Sequence, residues 1–355
     1  MKVLSVIDLA FAVPGDLQKI TGGYAYARQL FALLPQFGVA PHHLQLPGPF
    51  PFPTQDDLAA TAQVFAQLHP NTTLMVDGLA YGALPGDVLD GISQRVIGLV
   101  HHPLALESGL TEGQKSHLKA AETLALAKAD RVIATSPTTA RLLQSNYNVP
   151  GGCITVAAPG TTQAARASGG SGSVNLLAVG AVIPRKDYLG LIGALGQLQV
   201  TEWHLTIVGA VEHNTGYAQR VREAILASGL RSQIELVGEV SAEELDRHFT
   251  RANIFVMPSR YEGYGMVLTE AVARGLPIVC TTAGAMAETV SDDVAVKVHP
   301  GDPSAFAKAL EELLVDAGKR KQKADAAWEM ARSLPTWENC AERVADVVKS
   351  LSGAK

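Results

Sequence analysis

Residues 254–277, with the sequence IFVMPSRYEGYGMVLTEAVARGLP, decide the fold of this chain. The segment begins with the run Ile254 to Met257, which is apolar on both faces, as expected for a buried strand of a parallel sheet. A loop containing Gly263 and Gly265 follows, and a helical pattern completes the segment. Open α/β sheets bind ligands where a strand ends and a helix begins. The segment therefore predicts a ligand site directly after this strand.

Similar apolar runs recur along the chain in two sets, and each set predicts one parallel sheet covered by helices. The first set comprises Val3 to Ile7, Leu74 to Val76, Val96 to Val100, Val132 to Ala134 and Ile154 to Ala157. The second set comprises Val174 to Val179, Leu205 to Val208, Ile234 to Val237, Ile254 to Met257 and Ile278 to Thr281. The predicted fold class is α/β, with two Rossmann-like, doubly wound parallel-sheet domains.

The stretch ARASGGSGS at residues 165–173 separates the two sets. Its small residues bury little surface and bend at low cost, which is typical of a linker. We therefore predict an N-terminal domain over 1–168 and a C-terminal domain over 169–335. The last helical segment, 336–355, has no strand after it, so it either closes the second domain or crosses back to the first.

Composition excludes several classes of protein. The chain has 355 residues, 47% hydrophobic and 18% charged, which indicates packed globular domains rather than disorder. The net charge of -5 lacks the excess of positive charge that is typical of proteins that bind nucleic acids. The cysteines Cys153, Cys280 and Cys340 are far apart, which supports neither a metal site nor a disulfide framework and indicates a cytoplasmic location. No stretch has the roughly 18 to 20 apolar residues that a membrane-spanning helix needs.

The loop and helix after Met257 suit a phosphate, because glycines allow close backbone approach and a helix N-terminus presents free N–H groups. Glu270 falls about five residues into the helix, roughly 7 to 8 Å from its start, which is the reach of a nucleoside's ribose. Glu262 precedes the helix and can reach hydroxyls beyond a diphosphate. Isolated glutamates more often cap a helix or lie in solvent, but the order of strand, glycines and helix favours two carboxylates that bracket a nucleotide sugar.

Glu262 and Glu270 have the E-x7-E spacing of the retaining glycosyltransferases of family four, the group one class with the GT-B fold, which this chain resembles. The resemblance continues through 271–279 and 284–288. It implies two Rossmann-like domains that face each other across a cleft, with Glu262 towards the donor sugar and Glu270 on the ribose. Further donor contacts are implied for Gly263, Tyr264, Gly265 and Met266.

A second segment, VGAVIPRKD at 179–187, resembles the glycine and arginine turn of that family. Lys186 matches the lysine that neutralises the leaving diphosphate, where a fixed cation stabilises the developing charge. Ala181 stands where the family usually has an arginine, and Arg185 is the candidate for that second charge. An exposed basic pair at a turn is the alternative interpretation.

The resemblance is looser in the first domain. Gly22 and Gly23 resemble the family's glycine-rich loop near the donor phosphates and the acceptor, with a plain tight turn as the alternative. His101 and His102 follow the run Val96 to Val100, where family members often place a histidine near the sugar's primary hydroxyl. The register favours His101 as catalytic, with His102 next and a structural histidine as the alternative.

The resemblance implies a retaining hexosyltransferase that moves a sugar from a nucleotide-diphosphate sugar to a hydroxyl of a glycan, lipid or small molecule. No D-x-D occurs, so we expect no metal and no cofactor, with Lys186 and a helix dipole in the metal's place. A UDP-sugar is the expected donor, with GDP- and ADP-sugars as alternatives. A lipid acceptor would bring peripheral contact with the inner face of the membrane.

Two other functions stay open at this point. A GT-B epimerase or hydrolase of sugar nucleotides would share the same donor site without a second substrate. A non-catalytic nucleotide-sugar-binding subunit is suggested by the missing arginine at Ala181.

Overall fold

The computed structural model describes residues 6–170 and 172–352. By their contacts the residues fall into two compact units, Met1–Gly160 with Pro335–Lys355 and Thr161–Leu334. Each unit contains one six-stranded sheet. The paired strands run parallel throughout, as the apolar runs predict.

The strands of the first sheet lie in the order β2-β1-β3-β4-β5-β6, and those of the second in the order β12-β11-β10-β7-β8-β9. The first sheet comprises β1 (Ile7–Pro14), β2 (Val39–Leu46), β3 (Thr73–Asp77), β4 (Arg95–Val100), β5 (Arg131–Ala134) and β6 (Ile154–Val156). The second comprises β7 (Val174–Val179), β8 (Trp203–Val208), β9 (Ile234–Gly238), β10 (Ile254–Met257), β11 (Ile278–Thr281) and β12 (Ala295–Val298).

Helices connect the strands and cover the sheets. They are α1 (Gly22–Leu33), α2 (Gln55–Ala66), α3 (Gly78–Tyr81), α4 (Gly86–Asp90), α5 (Glu112–Lys128), α6 (Pro137–Tyr147), α7 (Tyr188–Leu195), α8 (Thr215–Ala227), α9 (Ala242–Arg251), α10 (Met266–Val272), α11 (Met286–Thr289), α12 (Pro303–Val315), α13 (Ala317–Met330) and α14 (Trp337–Ser352). Short 3₁₀ turns lie at Leu34–Phe37, Leu104–Leu106, Gly151–Cys153, Pro184–Lys186, Glu212–Asn214 and Ala331–Ser333. Within the described ranges, none of these helices has both the length and the apolar character that crossing a bilayer requires.

The strand predictions differ from the structure at the edges of the sheets. The apolar pattern does not reveal β2 or β12, because these edge strands carry polar and half-exposed residues instead of a continuous apolar run. Of the first predicted strand, Val3 to Ile7, residues 3–5 lie outside the described residues, and β1 instead extends to Pro14. The buried run Leu9 to Val13 forms its centre.

The order of the strands creates one switch point in each sheet. In the first sheet, the next strand along the chain, β2, pairs with one edge of β1. The chain then crosses over, and β3 pairs with the other edge of β1. In the second, β7 is followed by β8 on one side, whereas β10 lies on the other. Loops diverge at such points and leave a crevice at the carboxyl ends of the strands. The loops after β7 and β10 are therefore the expected position of a ligand site.

The stretch predicted to be a linker is held by backbone hydrogen bonds. The Ala167 amide donates to the carbonyl oxygen of Arg274 at 2.9 Å, and the Ser168 amide donates to that of Thr250 at 3.1 Å. Ser171 lies outside the described residues. Residues 161–170 thus lie on the second unit, where Arg166 also pairs with Asp325 and lies 5.9 Å from the centre of the Trp328 ring. The domain bounds 1–168, 169–335 and 336–355 stay predictions.

Helix α14 contacts the first unit, which is therefore discontinuous in sequence. Its apolar face, which includes Val344 and Val348, lies in one cluster with Phe11 and Tyr26. The chain leaves this unit at Gly160 and re-enters it close by, near Trp337. The two backbones are so near that a Cβ atom added to Gly160 would lie 2.1 Å from the backbone nitrogen of Trp337.

We expect Val344→Ala to lower the free energy of unfolding of the first unit by about 2 kcal/mol, because it deletes two methyl groups from a close-packed site. Val344 is fully buried, whereas Asp346 on the same helix is exposed. Asp346→Ala is therefore the matched control and should change the stability by less than about 0.5 kcal/mol. Urea unfolding followed by circular dichroism measures both, and equal effects would contradict the packing of α14.

Candidate functional site

The loops that follow β7 and β10 meet at the switch point of the second sheet. The Arg260 amide donates to the carbonyl oxygen of Arg185 at 2.8 Å, and the Arg185 guanidinium donates to the carbonyl oxygen of Tyr261 at 2.9 Å. Two segments far apart in the sequence therefore form one rigid surface. Lys186 and Glu262, singled out from separate motifs, both lie on it.

Arg185, Lys186 and Glu262 form a cluster of charges. Lys186 Nζ lies 2.8 Å from Glu262 Oε1, and Arg185 Nη1 lies 3.1 Å from the same oxygen. The side chains of Arg185, Lys186 and Glu262 are 14%, 13% and 9% exposed. Burial alone would raise the pKa of Glu262, but the two cations more than offset it and lower the pKa to about 2. One ionised carboxylate thus faces two cations, and the cluster keeps an excess positive charge.

Two glycines fit closely around this cluster. A Cβ atom at Gly180 would lie 2.9 Å from Lys186 Cε, so glycine leaves the room in which the lysine side chain lies. Gly284 has a φ of 63°, and a Cβ atom there would lie 2.2 Å from the carbonyl oxygen of Glu262. The amide of Ala285 donates to that same oxygen at 2.9 Å. Gly284 therefore supports the backbone of Glu262.

Asp187 and Arg260 form an ion pair beside Lys186 that the sequence analysis does not predict. Asp187 has left-handed backbone angles, φ 51° and ψ 41°, and its side chain is 9% exposed. Arg260 Nε lies 3.1 Å from Asp187 Oδ2, and Arg260 Nη2 donates to Oδ1 at 3.2 Å. Aspartate tolerates this backbone region better than most residues, which is the only local signal of its role. The pair adds a further link between the loop after β7 and the loop after β10.

Helix α10 begins at Met266, after Gly265 with a φ of 88°, as the strand, loop and helix pattern predicts. Glu270 is its fifth residue and is half-buried. Burial raises the pKa of the Glu270 carboxyl, and Arg274 partly offsets the rise. Gly263 and Gly265 are buried, while Tyr264 and Met266 are half-buried, so the structure places all the donor-binding candidates of this segment on one loop and helix start.

Arg274 ties α10 to α9. Its guanidinium donates to the carbonyl oxygen of Glu270 at 3.2 Å and to Asp246 at 2.7 Å. It also lies 4.4 Å from the centre of the Phe249 ring, where a cation is attracted to the aromatic face. Arg274 thus fixes the helix that carries Glu270.

In the first unit, the structure brings His101 next to Gly23. A Cβ atom at Gly23 would lie 3.5 Å from His101 Nε2. Gly22 and Gly23 form the first turn of α1 instead of a loop, because the Thr21 side chain accepts the hydrogen bond of the Tyr24 amide and caps the helix there. The expected glycine-rich loop is therefore the start of a helix, and the donor contacts of Gly22 and Gly23 stay a prediction.

Asp77 is a neighbour of His101 that the sequence analysis missed. It ends β3 and is buried, and its Oδ2 lies 3.2 Å from His101 Nε2 while its Oδ1 accepts from the Leu79 amide at 2.9 Å. His102 Nε2 instead lies 3.5 Å from Glu107 Oε2. Both histidines follow β4, and the structure distinguishes them because the side chain of His101 contacts Asp77, which ends β3 beside the switch point.

Over 6–170 and 172–352, no group of three or more histidine, cysteine, aspartate or glutamate side chains could hold a metal ion. The metal-independence inferred from the sequence stays a prediction.

The comparison with protein families gives one match, since residues 165–330 fit the model of the group 1 glycosyl transferases. The sequence-based recognition of this group is confirmed, and the assignment to family four stays a prediction.

The chain is 30% identical over 232 residues to a D-inositol 3-phosphate glycosyltransferase of Geodermatophilus obscurus, covering 59% of this chain and 52% of that relative. It is 28% identical over 184 residues to a GDP-mannose-dependent phosphatidylinositol monomannoside mannosyltransferase of Mycobacterium tuberculosis, covering 49% of this chain and 47% of that relative. The chain thus spans about half the length of these curated relatives.

Solved structures resemble the whole chain. A sucrose-phosphate synthase of Thermosynechococcus elongatus is 20% identical with a TM-score of 0.83, and the match covers 98% of this chain and 100% of that one. HepE of Anabaena, solved in complex with UDP and glucose, is 16% identical with a TM-score of 0.76, covering 97% and 100% of the two chains. These neighbours confirm the predicted GT-B fold class.

We expect Gly284→Ala to destabilise the second unit by more than about 2 kcal/mol, because it adds a clash with the Glu262 backbone to the strain of a left-handed residue. Gly229 is the matched control: its φ is 74°, and a Cβ atom there would meet nothing within 4 Å. Gly229→Ala should therefore cost only about 1 kcal/mol. Urea unfolding compares the two, and equal losses would show that Gly284 does not support Glu262.

Proposed function

We propose that this chain, whose residues 165–330 match the group 1 glycosyl transferases, is a retaining and metal-independent hexosyltransferase. It would move a sugar from a nucleotide-diphosphate sugar to a hydroxyl acceptor. The observation that carries the proposal is the cluster at the switch point, where Lys186 and Arg185 lie 2.8 and 3.1 Å from one carboxylate oxygen of Glu262. A charged site of this kind suits a diphosphate next to a group rich in hydroxyls.

Arg185 supports the diphosphate role despite the missing arginine at Ala181. Its guanidinium reaches the same carboxylate oxygen as Lys186, so the two cations converge on one point. A guanidinium can hold two phosphate oxygens at once, whereas an ammonium acts as a compact point charge. In our proposal, Arg185 supplies the second charge from a position four residues later in the chain.

The two glutamates take different parts of the donor in this proposal. Glu262, ionised at neutral pH, accepts hydrogen bonds from the sugar hydroxyls. Glu270, held half-buried on α10, accepts from the ribose hydroxyls. Gly263, Tyr264, Gly265 and Met266 would contact the donor between them. These four roles rest on the family resemblance and on the position of the loop at the switch point.

The proposed reaction breaks the bond between the anomeric carbon and the leaving diphosphate oxygen, which takes the electron pair. The acceptor oxygen forms the new bond on the same face of the sugar, and its proton passes to the leaving diphosphate. Lys186 and Arg185 stabilise the negative charge that develops on that diphosphate, because preorganised cations in a dry site favour the transition state. The resemblance assigns His101 to the sugar's primary hydroxyl. Asp77, at 3.2 Å from Nε2, would fix the orientation of the His101 ring.

We propose a UDP-sugar as donor, which the UDP complex of the similar Anabaena protein supports as an analogy. A GDP-sugar is the first alternative, because the mycobacterial relative is named as GDP-mannose-dependent, and an ADP-sugar is the second. The acceptor hydroxyl belongs to a glycan, a lipid or a small molecule. Only a lipid acceptor calls for contact with the cytoplasmic face of a membrane.

The test incubates the protein with radiolabelled UDP-, GDP- and ADP-sugars, with and without an acceptor mixture, in the presence of EDTA. Transfer of label to an acceptor, with the anomeric configuration retained by NMR, supports the proposal. Conversion of the donor alone indicates an epimerase or hydrolase, and binding without turnover indicates a non-catalytic subunit. Either result would replace the proposed function.

We expect Lys186→Ala to lower kcat by about 100- to 1,000-fold, because it removes a cation from the leaving diphosphate. Lys321, which is 77% exposed and paired with Asp325, provides the control. Lys321→Ala should leave kcat within about twofold of the wild type. Steady-state kinetics measure both variants after circular dichroism has shown that they fold, and an unchanged kcat for Lys186→Ala would contradict its assignment.

A further inference from the structure

We propose that Glu262 is a specificity-determining residue, which makes the site select a nucleotide sugar over the free nucleoside diphosphate by competing with the diphosphate for Arg185 and Lys186. The inference rests on the proposed function. It assigns to Glu262 a second role in addition to its contact with the donor sugar.

The two cations already have a partner in the structure. Lys186 Nζ and Arg185 Nη1 both lie within 3.1 Å of Glu262 Oε1, and all three side chains are mostly buried. The two positive charges that a diphosphate requires therefore already face a carboxylate, while Arg185 Nη1 also donates to the carbonyl oxygen of Tyr261 at 2.9 Å. A diphosphate bound to these donors must displace Glu262 Oε1 from them, because two sets of anionic oxygens repel each other at such distances.

In this exchange the side chain of Glu262 moves while its backbone stays in place. Its carbonyl oxygen accepts from the Ala285 amide at 2.9 Å, and the absent Cβ of Gly284 leaves the room for this close contact. The neighbouring loop is fixed by the hydrogen bond from the Arg260 amide to Arg185 and by the Asp187 pair. The exchange thus takes place by rotation of one carboxylate within a fixed backbone.

A displaced and buried carboxylate needs new hydrogen-bond donors, since an unpaired buried charge is costly. The hydroxyls of a donor sugar supply them, because they lie directly beyond the diphosphate. A free nucleoside diphosphate has no hydroxyl at that end and leaves the carboxylate without a replacement. Glu262 therefore weakens binding of the product more than binding of the donor, and its return to the two cations favours release of the product.

The experiment measures the affinity of the wild type and of Glu262→Gln by isothermal titration without acceptor. The probes are UDP, GDP and ADP, followed by the glucose adduct of the nucleotide that binds best. We expect Glu262→Gln to bind the free nucleoside diphosphate at least about tenfold more tightly than the wild type, because the competing anion is gone. Its affinity for the sugar nucleotide should rise less, so the preference for the sugar nucleotide over the diphosphate should fall.

Three further variants and one further probe separate this role from others. Glu262→Ala and the probe inorganic pyrophosphate provide a second neutral variant and a second anion, and both should show the same tighter binding. Glu243→Gln removes an equal charge from a side chain that is 86% exposed on α9, and it should change nothing. Glu270→Gln should weaken UDP and UDP-glucose alike, which leaves the preference unchanged.

The outcomes distinguish the inference from the proposed function. If the wild type binds no nucleoside diphosphate and no sugar nucleotide, the proposed function fails, and the inference fails with it. If the wild type binds them but neither neutral variant at position 262 binds the diphosphate or pyrophosphate more tightly, only the inference is overturned. Equal tightening for diphosphate and sugar nucleotide would also overturn it, since selection requires a difference.

Discussion

A single carboxylate that faces two cations organises the second unit's switch point. Glu262 comes from the loop after β10, whereas Arg185 and Lys186 come from the loop after β7. The Arg260 amide also donates to the carbonyl oxygen of Arg185, the Arg185 guanidinium donates to the carbonyl oxygen of Tyr261, and Asp187 pairs with Arg260 across the two loops. Because the strands β7 and β10 are neighbours in the sheet but distant in sequence, these two strands must pair before the charges meet. The site is therefore a product of topology as much as of its motifs.

The first unit repeats this arrangement with different side chains. Asp77 ends β3 and His101 follows β4, and the two side chains pair at 3.2 Å beside the start of α1. The Tyr26 ring meets the His101 ring edge-on, with 5.3 Å between the centroids. Each unit thus places its polar, pairable groups at the carboxyl ends of the strands next to its switch point, where parallel sheets leave a crevice.

The sequence predicted the parts of the fold and site that depend on local patterns. The apolar runs gave the central strands, and the pattern of strand, glycines and helix predicted β10, the loop after it and α10. Edge strands β2 and β12 were missed because their exposure breaks the apolar pattern. The pairs formed by Asp77 and Asp187 join residues distant in sequence, which no spacing reveals. The anchoring of the 165–170 stretch was hidden for two other reasons. Ala167 and Ser168 donate through backbone amides, which every residue type possesses, and Arg166 pairs with Asp325, which is distant in sequence.

The discontinuity of the first unit has a consequence for the order in which the protein forms during synthesis. Helix α14 supplies part of the cluster around Phe11 and Tyr26, and it leaves the ribosome after residues 161–334. Residues 161–334 can therefore complete their contacts while the N-terminal sheet still exposes the apolar face that awaits this helix. Domains usually fold in the order of their synthesis. Here the amino-terminal unit finishes second, and the nascent chain carries an uncovered apolar surface that is a natural target for chaperones.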